Sequence, residues 1–361
     1  MKTVWKYSLL ALLGACAAGA SAFYGLYHSR LQSIDSLKQL TSYQDGYNLY
    51  TMDIRYDYDL DAVIASDIHD DQSLIDAFVA EALPLLPVHI EAPHFGCTAF
   101  TLKTKDGHVY MGRNYDFKDD TSALFIRTAP KNGYRSIAFT ALNNIAANAP
   151  EESFSKKLAT LVAPFICLDG INEKGVSIAV LTLDSKPTRQ HTGKPAIGTS
   201  LAIRLVLDRA ATTEEAVKLL SGYDMLATAG RDYHFYITDA SGDGRIVEYD
   251  CDSEDRRFVA TPAPAITNFF YLYKDKVLPH QKNGIYGHGK ERYDAVLDVF
   301  AKESGIENAD TGWHALRAAA QDPNPNDITS NTQWSILYDN TDLSADIAIR
   351  RHWDDVHHFT L

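Results

Sequence analysis

Phe95-Gly96-Cys97-Thr98-Ala99-Phe100 and Gly112-Arg113-Asn114-Tyr115-Asp116-Phe117 are the two ends of one stretch, and Asp106-Gly107 lies between them. An Asp-Gly pair flanked by alternating apolar residues is a strong hairpin signal. Ala99 to Thr104 and His108 to Gly112 therefore read as paired strands, with Cys97 at the start of the first. A hairpin brings its ends together, so the Cys97 thiol is expected beside Arg113 and Asp116, 16 and 19 residues further on. A thiol attacks mainly as its thiolate, whose ordinary pKa of about 8.5 is lowered by a neighbouring cation. Arg113 can supply that charge. On spacing alone, a buried structural cysteine beside an Arg/Asp pair is the rival reading.

A cut between Gly96 and Cys97 would free an α-amino group of pKa about 7.7 to 8.0, close to what a general base needs. One residue would then hold nucleophile and base, with Asp116 orienting the amine as the acid of a hydrolytic triad orients its histidine. Gly96 removes side-chain bulk at the bond to be broken.

Outward from the hairpin, a helix is expected from about Ser73, with Leu74, Ala77, Phe78, Ala80 and Leu83 near one face, ending near Pro84, Pro87 and Pro93. Strands are expected at Ala123 to Thr128, Tyr134 to Ala141, Val176 to Leu183, His234 to Asp239, Arg245 to Tyr249, Ala265 to Asn268, Gln333 to Tyr338 and Asp346 to Arg350. Helices are expected at Ser200 to Ala210, at Thr213 to Leu220 with Thr212/Thr213 ahead of Glu214 and Glu215 as capping chemistry, and at Glu291 to Glu303. Runs of strands separated by paired helices predict an α+β sandwich of antiparallel sheets with helices outside.

The first 22 residues differ from the rest. Lys2 and Lys6, the apolar run Leu9 to Leu13 and Ala20-Ser21-Ala22 follow the order of an export signal, and the apolar run is short for a membrane span. Leu13-Gly14-Ala15-Cys16 resembles a bacterial lipobox, so a lipidated Cys16 on a membrane surface stands beside ordinary cleavage before Phe23. The chain is thus expected to be exported: periplasmic, secreted or anchored as a lipoprotein. Three sections follow: 1–22 as signal, 23–96 as a propeptide or small subunit, and 97–361 as the catalytic domain.

The 361 residues carry a net charge of −13 with no run of Lys or Arg, which argues against a nucleic-acid partner. Three of the four cysteines, Cys97, Cys167 and Cys251, fall in the body of the chain, an odd number unlike a disulfide framework. Cys167 and Cys251 sit in strand-like or apolar contexts and read as structural. There is no Gly-x-Ser-x-Gly elbow and no His-Glu-x-x-His helix, and Gly284 to Lys290 misses a phosphate loop because Glu291 stands where Ser or Thr is required.

Cys-Thr-Ala-Phe followed by Asp-Gly-His-Val-Tyr-Met-Gly-Arg-Asn-Tyr-Asp-Phe resembles the opening of the choloylglycine hydrolase family of linear amide C–N hydrolases, N-terminal-nucleophile enzymes that include bile acid hydrolases, penicillin V acylases, acid ceramidase and N-acylethanolamine acid amidase. Leu168 to Gly175 resembles its second signature and Ala265-Ile266-Thr267-Asn268 its Thr-Asn element. The resemblance implies a four-layer αββα sandwich without cofactor or metal, with Cys97, Arg113, Asp116, Asn268 and Arg292 as the catalytic set. It also implies that Thr182, through its backbone N–H, Asn268 and Asn114 meet the oxyanion or the substrate. Thr182 stands where bile salt hydrolases have Asn, which puts bile salt specificity in doubt. The long section before Cys97 is similar to the ceramidase and acid amidase branch, in which the N-terminal part is cut off and stays bound; an uncut lid or helper segment is the alternative. The expected partner is a small N-acyl amide, and an oligomer is compatible with the sequence. An acyltransferase would use the same residues, and a surface lipid or bile-acid binding protein without turnover is the rival from another class.

Overall fold

The computed structural model describes residues 24–85, 96–282 and 284–361. The expected leader, Cys16 and its lipidation lie outside these residues.

The hairpin is longer than its apolar alternation predicts. Strands Gly96–Lys103 and Val109–Asp116 pair antiparallel from Gly96↔Asp116 to Lys103↔Val109, so Cys97, Arg113, Asn114 and Asp116 all lie within the ladder. The pair sits inside a six-stranded antiparallel sheet in the order Ala265–Ile266, Gly96–Lys103, Val109–Asp116, Thr332–Asp339, Ser344–Ile349, Val356–Thr360. A nine-stranded sheet faces it, running Lys38–Gln39, Leu49–Asp53, Ala123–Thr128, Ser136–Ala141, Asp169–Asn172, Ser177–Leu183, Asp232–Thr238, Arg245–Tyr249, Phe258–Pro262.

Helices close both outer faces. Thr199–Arg209 packs on the nine-stranded sheet with Thr213–Leu220 beside it, and Lys290–Lys302 with Ala309–Ala318 covers the six-stranded one. The result is the expected α+β sandwich in four layers, αββα. The local causes are ordinary: Thr212 Oγ1 accepts the Glu215 N–H at 3.1 Å and starts Thr213–Leu220, which buries Ala216 and Leu220. No helix among the described residues is long and apolar enough to cross a membrane.

Residues 24–85 are woven into this body. Strand Leu49–Asp53 runs parallel to Ala123–Thr128, the one parallel pairing in the nine-stranded sheet among the described residues, and buries Leu49 and Met52 completely. Helix Asp71–Ala82 begins with a capping box between Asp70 and Ser73, against the expected start near Ser73, and ends just before Pro84. Its Phe78 stacks on Phe165 with ring centroids 5.5 Å apart. The helix over 24–35 caps its last carbonyls: Arg30, itself buried, donates to Ala82 O at 2.8 Å and Glu81 O at 2.6 Å, and Tyr27 donates to Pro84 O. Tyr56 donates to Leu161 O at 2.6 Å, and Tyr58 reaches the buried Arg204–Asp208 pair.

Candidate active site

Side chains alternate across a strand, and partners directly opposite in a ladder share a face. Cys97 pairs with Tyr115 and Ala99 with Arg113, so the Cys97 thiol, Arg113 and Tyr115 point together into the space between the sheets. Asp116 and Asn114, pairing with Gly96 and Thr98, point to the helical side. The residues named from the sequence are therefore divided by the strand on which they stand.

On the inner side everything is buried. Arg113 donates from Nε to Asp169 Oδ2 at 3.2 Å and from Nη1 to the Asn114 carbonyl at 3.0 Å. Its Nη2 has no oxygen or nitrogen acceptor among the described residues, and the guanidinium lies within reach of the thiol. Tyr338 donates to the other oxygen of Asp169, and Tyr115 stacks on Trp334 at 4.1 Å. Burial pushes the Cys97 thiol up to about 12, although the Arg113 charge pulls it down. Asp169 is likewise raised by burial against the opposing pull of Arg113.

On the helical side Arg292, from the first turn of Lys290–Lys302, joins four groups. Its Nη1 donates to Cys97 O at 2.8 Å and Thr98 Oγ1 at 3.1 Å, and lies 3.4 Å from Asp116 Oδ2, while Nη2 donates to Asn268 Oδ1 at 2.7 Å. The guanidinium needs the space that Gly289 leaves: a Cβ there would stand 2.3 Å from Nη2, and the φ of +81° already favours glycine. Asp116 accepts from Thr332 Oγ1 at 2.6 Å and Gln321 Nε2 at 2.9 Å. Burial raises its carboxyl, against Arg292, Thr332 and Gln321, which favour the charged form.

Asn268 ties the two sheets at Cys97. Its Oδ1 accepts the Cys97 N–H at 3.1 Å and its Nδ2 donates to Thr182 O at 2.8 Å. Thr182 is the last residue but one of strand Ser177–Leu183 in the nine-stranded sheet, with its hydroxyl accepting from Arg231 Nε at 3.1 Å. Asn114 is the residue not brought to this point: its amide donates to Leu316 O at 2.8 Å and accepts from Ser335 Oγ at 2.6 Å, beneath helix Ala309–Ala318.

A polar cleft opens beside the set. One lobe, about 290 Å³, includes Gln321, which also holds Asp116, together with Glu291 and His288. The other, about 230 Å³, includes Asp184, Arg231 and Thr329. His288 lines both and bonds Asp184 through Nδ1 at 2.6 Å and Thr329 through Nε2 at 2.9 Å. Burial works against the Asp184 carboxylate, and the His288 and Arg231 contacts outweigh it and hold the pKa below the usual range. Among the described residues, the group of ligands close enough to share a metal ion, His108, Asp339 and Asp342, sits at the turn end of the hairpin, away from Cys97.

Sequence reasoning passed over Asp169, Gln321 and Thr332. Asp169 carried a signal: a carboxylate between Cys167-Leu168 and Gly170-Ile171 has to be paired if buried. Gln321 and Thr332 carried none, because their partner Asp116 is more than 200 residues away.

Residues 97–255 match the family described as linear amide C-N hydrolases, choloylglycine hydrolase family. A penicillin V acylase of Pectobacterium atrosepticum is 36% identical over 96 residues, 22% of this chain and 24% of that one, so the match spans about a quarter of the relative's length. Among solved structures, a penicillin V acylase from Agrobacterium tumefaciens superimposes with a TM-score of 0.53 at 19% identity, covering 73% of this chain and 86% of that one. A conjugated bile acid hydrolase from Clostridium perfringens gives 0.54 at 16%, covering 73% and 92%. Over residues 97–255 this chain is thus similar to the linear amide C–N hydrolases of the choloylglycine hydrolase family, and its fold is the one shared by the penicillin V acylase and the conjugated bile acid hydrolase.

Proposed function

We propose that this protein is a cysteine amidohydrolase that cleaves the linear amide C–N bond of an N-acylated small molecule, with Cys97 as nucleophile once the Gly96–Cys97 bond has been cut. The observation that carries the reading is the double hold on one residue. The Cys97 thiol meets Arg113 on one face of the strand, while its backbone N–H and C=O are held by Asn268 and Arg292. A structural cysteine has no need of three buried polar partners aimed at its own backbone and sulfur.

The same geometry argues for cutting. In the continuous chain the Cys97 nitrogen is an amide, which donates a hydrogen bond and cannot serve as a base. A thiol at about 12 is ionised in about one molecule in 10⁵ at pH 7. Attack of the thiol on the Gly96 carbonyl, with the proton passing to the Cys97 nitrogen, gives a thioester and a free amine. Water then releases the Gly96 carboxylate and restores the thiol. The amine so formed stands where the amide N–H stood and becomes the base that Cys97 lacked.

In turnover, the amine takes the thiol proton as sulfur attacks the substrate carbonyl and gives it to the leaving amine; water then repeats the cycle on the thioester. Asp116, opposite Gly96 in the ladder, favours the ammonium form. The second hydrogen of Asn268 Nδ2, beyond the one given to Thr182 O, and the Thr182 backbone N–H serve the oxyanion.

The test of this reading is mass spectrometry of the purified protein together with assay on a panel of glycine- and taurine-conjugated bile acids, penicillin V, N-acyl amino acids, N-acylethanolamines and a ceramide. The expected result is a large fragment beginning at Cys97 and turnover of at least one amide. A fully active chain intact through Gly96-Cys97 would overturn the free-amine mechanism. Asn268→Ala is expected to lower kcat by about 10²-fold or more, as loss of an oxyanion donor does. Arg292→Lys is expected to fall similarly, because one ammonium cannot reproduce a planar fork that meets Cys97 O, Thr98 and Asn268 together. Steady-state kinetics on the processed variants checks both.

A further inference from the structure

We infer that His234 is a positioning residue for Asn268, gripping the backbone one residue before it; the inference rests on the amidase reading above. His234 lies on strand Asp232–Thr238 of the nine-stranded sheet and is fully buried. Its Nε2 is 2.9 Å from the Thr267 carbonyl. A carbonyl only accepts, so the proton on this nitrogen is fixed by its partner. The other nitrogen, Nδ1, has no hydrogen-bond partner among the described residues and stands 3.7 Å from Oε1 of Glu248, which is equally buried.

An imidazole buried with one nitrogen unsatisfied is an unfavourable way to fill a core. What it contributes is one directed bond at a particular place. Strand Ala265–Ile266 is the edge of the six-stranded sheet, and its ladder to the Cys97 strand consists of Ala265↔Phe100 and Ile266↔Ala99. Pairing therefore stops one residue before Thr267 and two before Asn268. From the opposite sheet His234 supplies a donor to the first carbonyl that the ladder leaves behind.

Other groups hold the same short segment. Thr267 Oγ1 donates to Gly289 O at 2.7 Å, and the His288 N–H donates to Asn268 O at 2.8 Å. Glu248 accepts the N–H groups of Tyr271 at 2.6 Å and Leu272 at 3.1 Å. His234 and Glu248 thus bracket Asn268 from the same sheet, one on each side in sequence. The Asn268 amide has to present Oδ1 to Cys97 and Nδ2 to Thr182 at once, and a turn of the Thr267 peptide plane would move both.

The test uses full-length, processed protein and three substitutions. His234→Gln keeps a donor at the reach of Nε2, His234→Asn keeps polarity and is one methylene too short, and His234→Leu fills the core without a donor. With kcat expressed per folded molecule by thermal melting, His234→Asn and His234→Leu are expected to lose about 10- to 100-fold in kcat with KM within about twofold, as a misplacement near 1 Å does. His234→Gln is expected to stay within about fivefold of the parent. Should Asn fail to fold, Leu carries the comparison. Equal kcat per folded molecule in the Gln and Leu variants, or a change confined to KM, overturns the inference. Cys97→Ala is run alongside: if it keeps full activity, or the parent turns over no amide, the amidase reading falls and this inference with it.

Discussion

Cys97→Ala is expected to lose amide hydrolysis by at least about 10⁴-fold and to remain a single uncut chain, while melting within a few degrees of the parent protein. The size of the loss follows from removing the atom that forms the covalent intermediate, since knocking out the nucleophile of such a set costs roughly as much as knocking out the set. The small effect on melting follows from the site. The fully buried thiol is replaced by a methyl in a strand whose ladder, from Gly96↔Asp116 to Lys103↔Val109, is backbone to backbone and unaffected. Turnover assays, mass spectrometry and calorimetry on the same preparation separate the outcomes. An uncut, inactive and stable variant is the expected result. Activity retained by Cys97→Ala would remove the proposed mechanism altogether.

The second large effect concerns the other side of the cut. A chain beginning at Cys97 and expressed without residues 24–85 is expected to be insoluble or to lack a cooperative transition, and to be rescued by co-expression of the missing section. Leu49, Met52, Leu60, Val63, Leu74 and Phe78 are each buried to 3% exposure or less. At about 2 kcal/mol apiece their contribution is of order 12 kcal/mol, comparable to the about 5 to 15 kcal/mol of net stability in a whole domain. Loss of strand Leu49–Asp53 would also leave Ala123–Thr128, with buried Leu124, Phe125 and Ile126, as an unprotected edge. Gel filtration and circular dichroism of both preparations decide it; a soluble, cooperatively melting 97–361 fragment would show the dependence to be wrong.

The hairpin was legible because its information is local: Asp106-Gly107 sets the turn, and the turn sets which residues meet. The strands Ala123–Thr128 and Arg245–Tyr249 and the helix Thr213–Leu220 came out with their observed limits for the same reason. The hairpin strands were read too short, since alternation of apolar and polar residues fails at Cys97, Arg113, Asn114 and Asp116, which are polar or reactive yet fully buried. Functional sites are where local rules are expected to break. The face on which each of those residues lies could have been read by parity along the strand. Helix Ala309–Ala318 was missed: Gly312 weakens its propensity, and its justification is a close approach to Leu337 that only the fold reveals. Strand Leu49–Asp53 was missed because its partner is parallel and more than 70 residues away. Arg292 was reached through family resemblance alone, for nothing on its own helix announces that it faces Cys97.

The weaving of residues 24–85 into the nine-stranded sheet also sets a clock. If the mature molecule is two chains, they share a sheet instead of a docking face, so parting them requires the sheet itself to come apart. Exchange of an isotopically labelled small chain into unlabelled protein should then proceed no faster than global unfolding, over hours or longer. The lifetime of the assembled pair, and not its affinity, would be the quantity that governs how long the molecule stays intact.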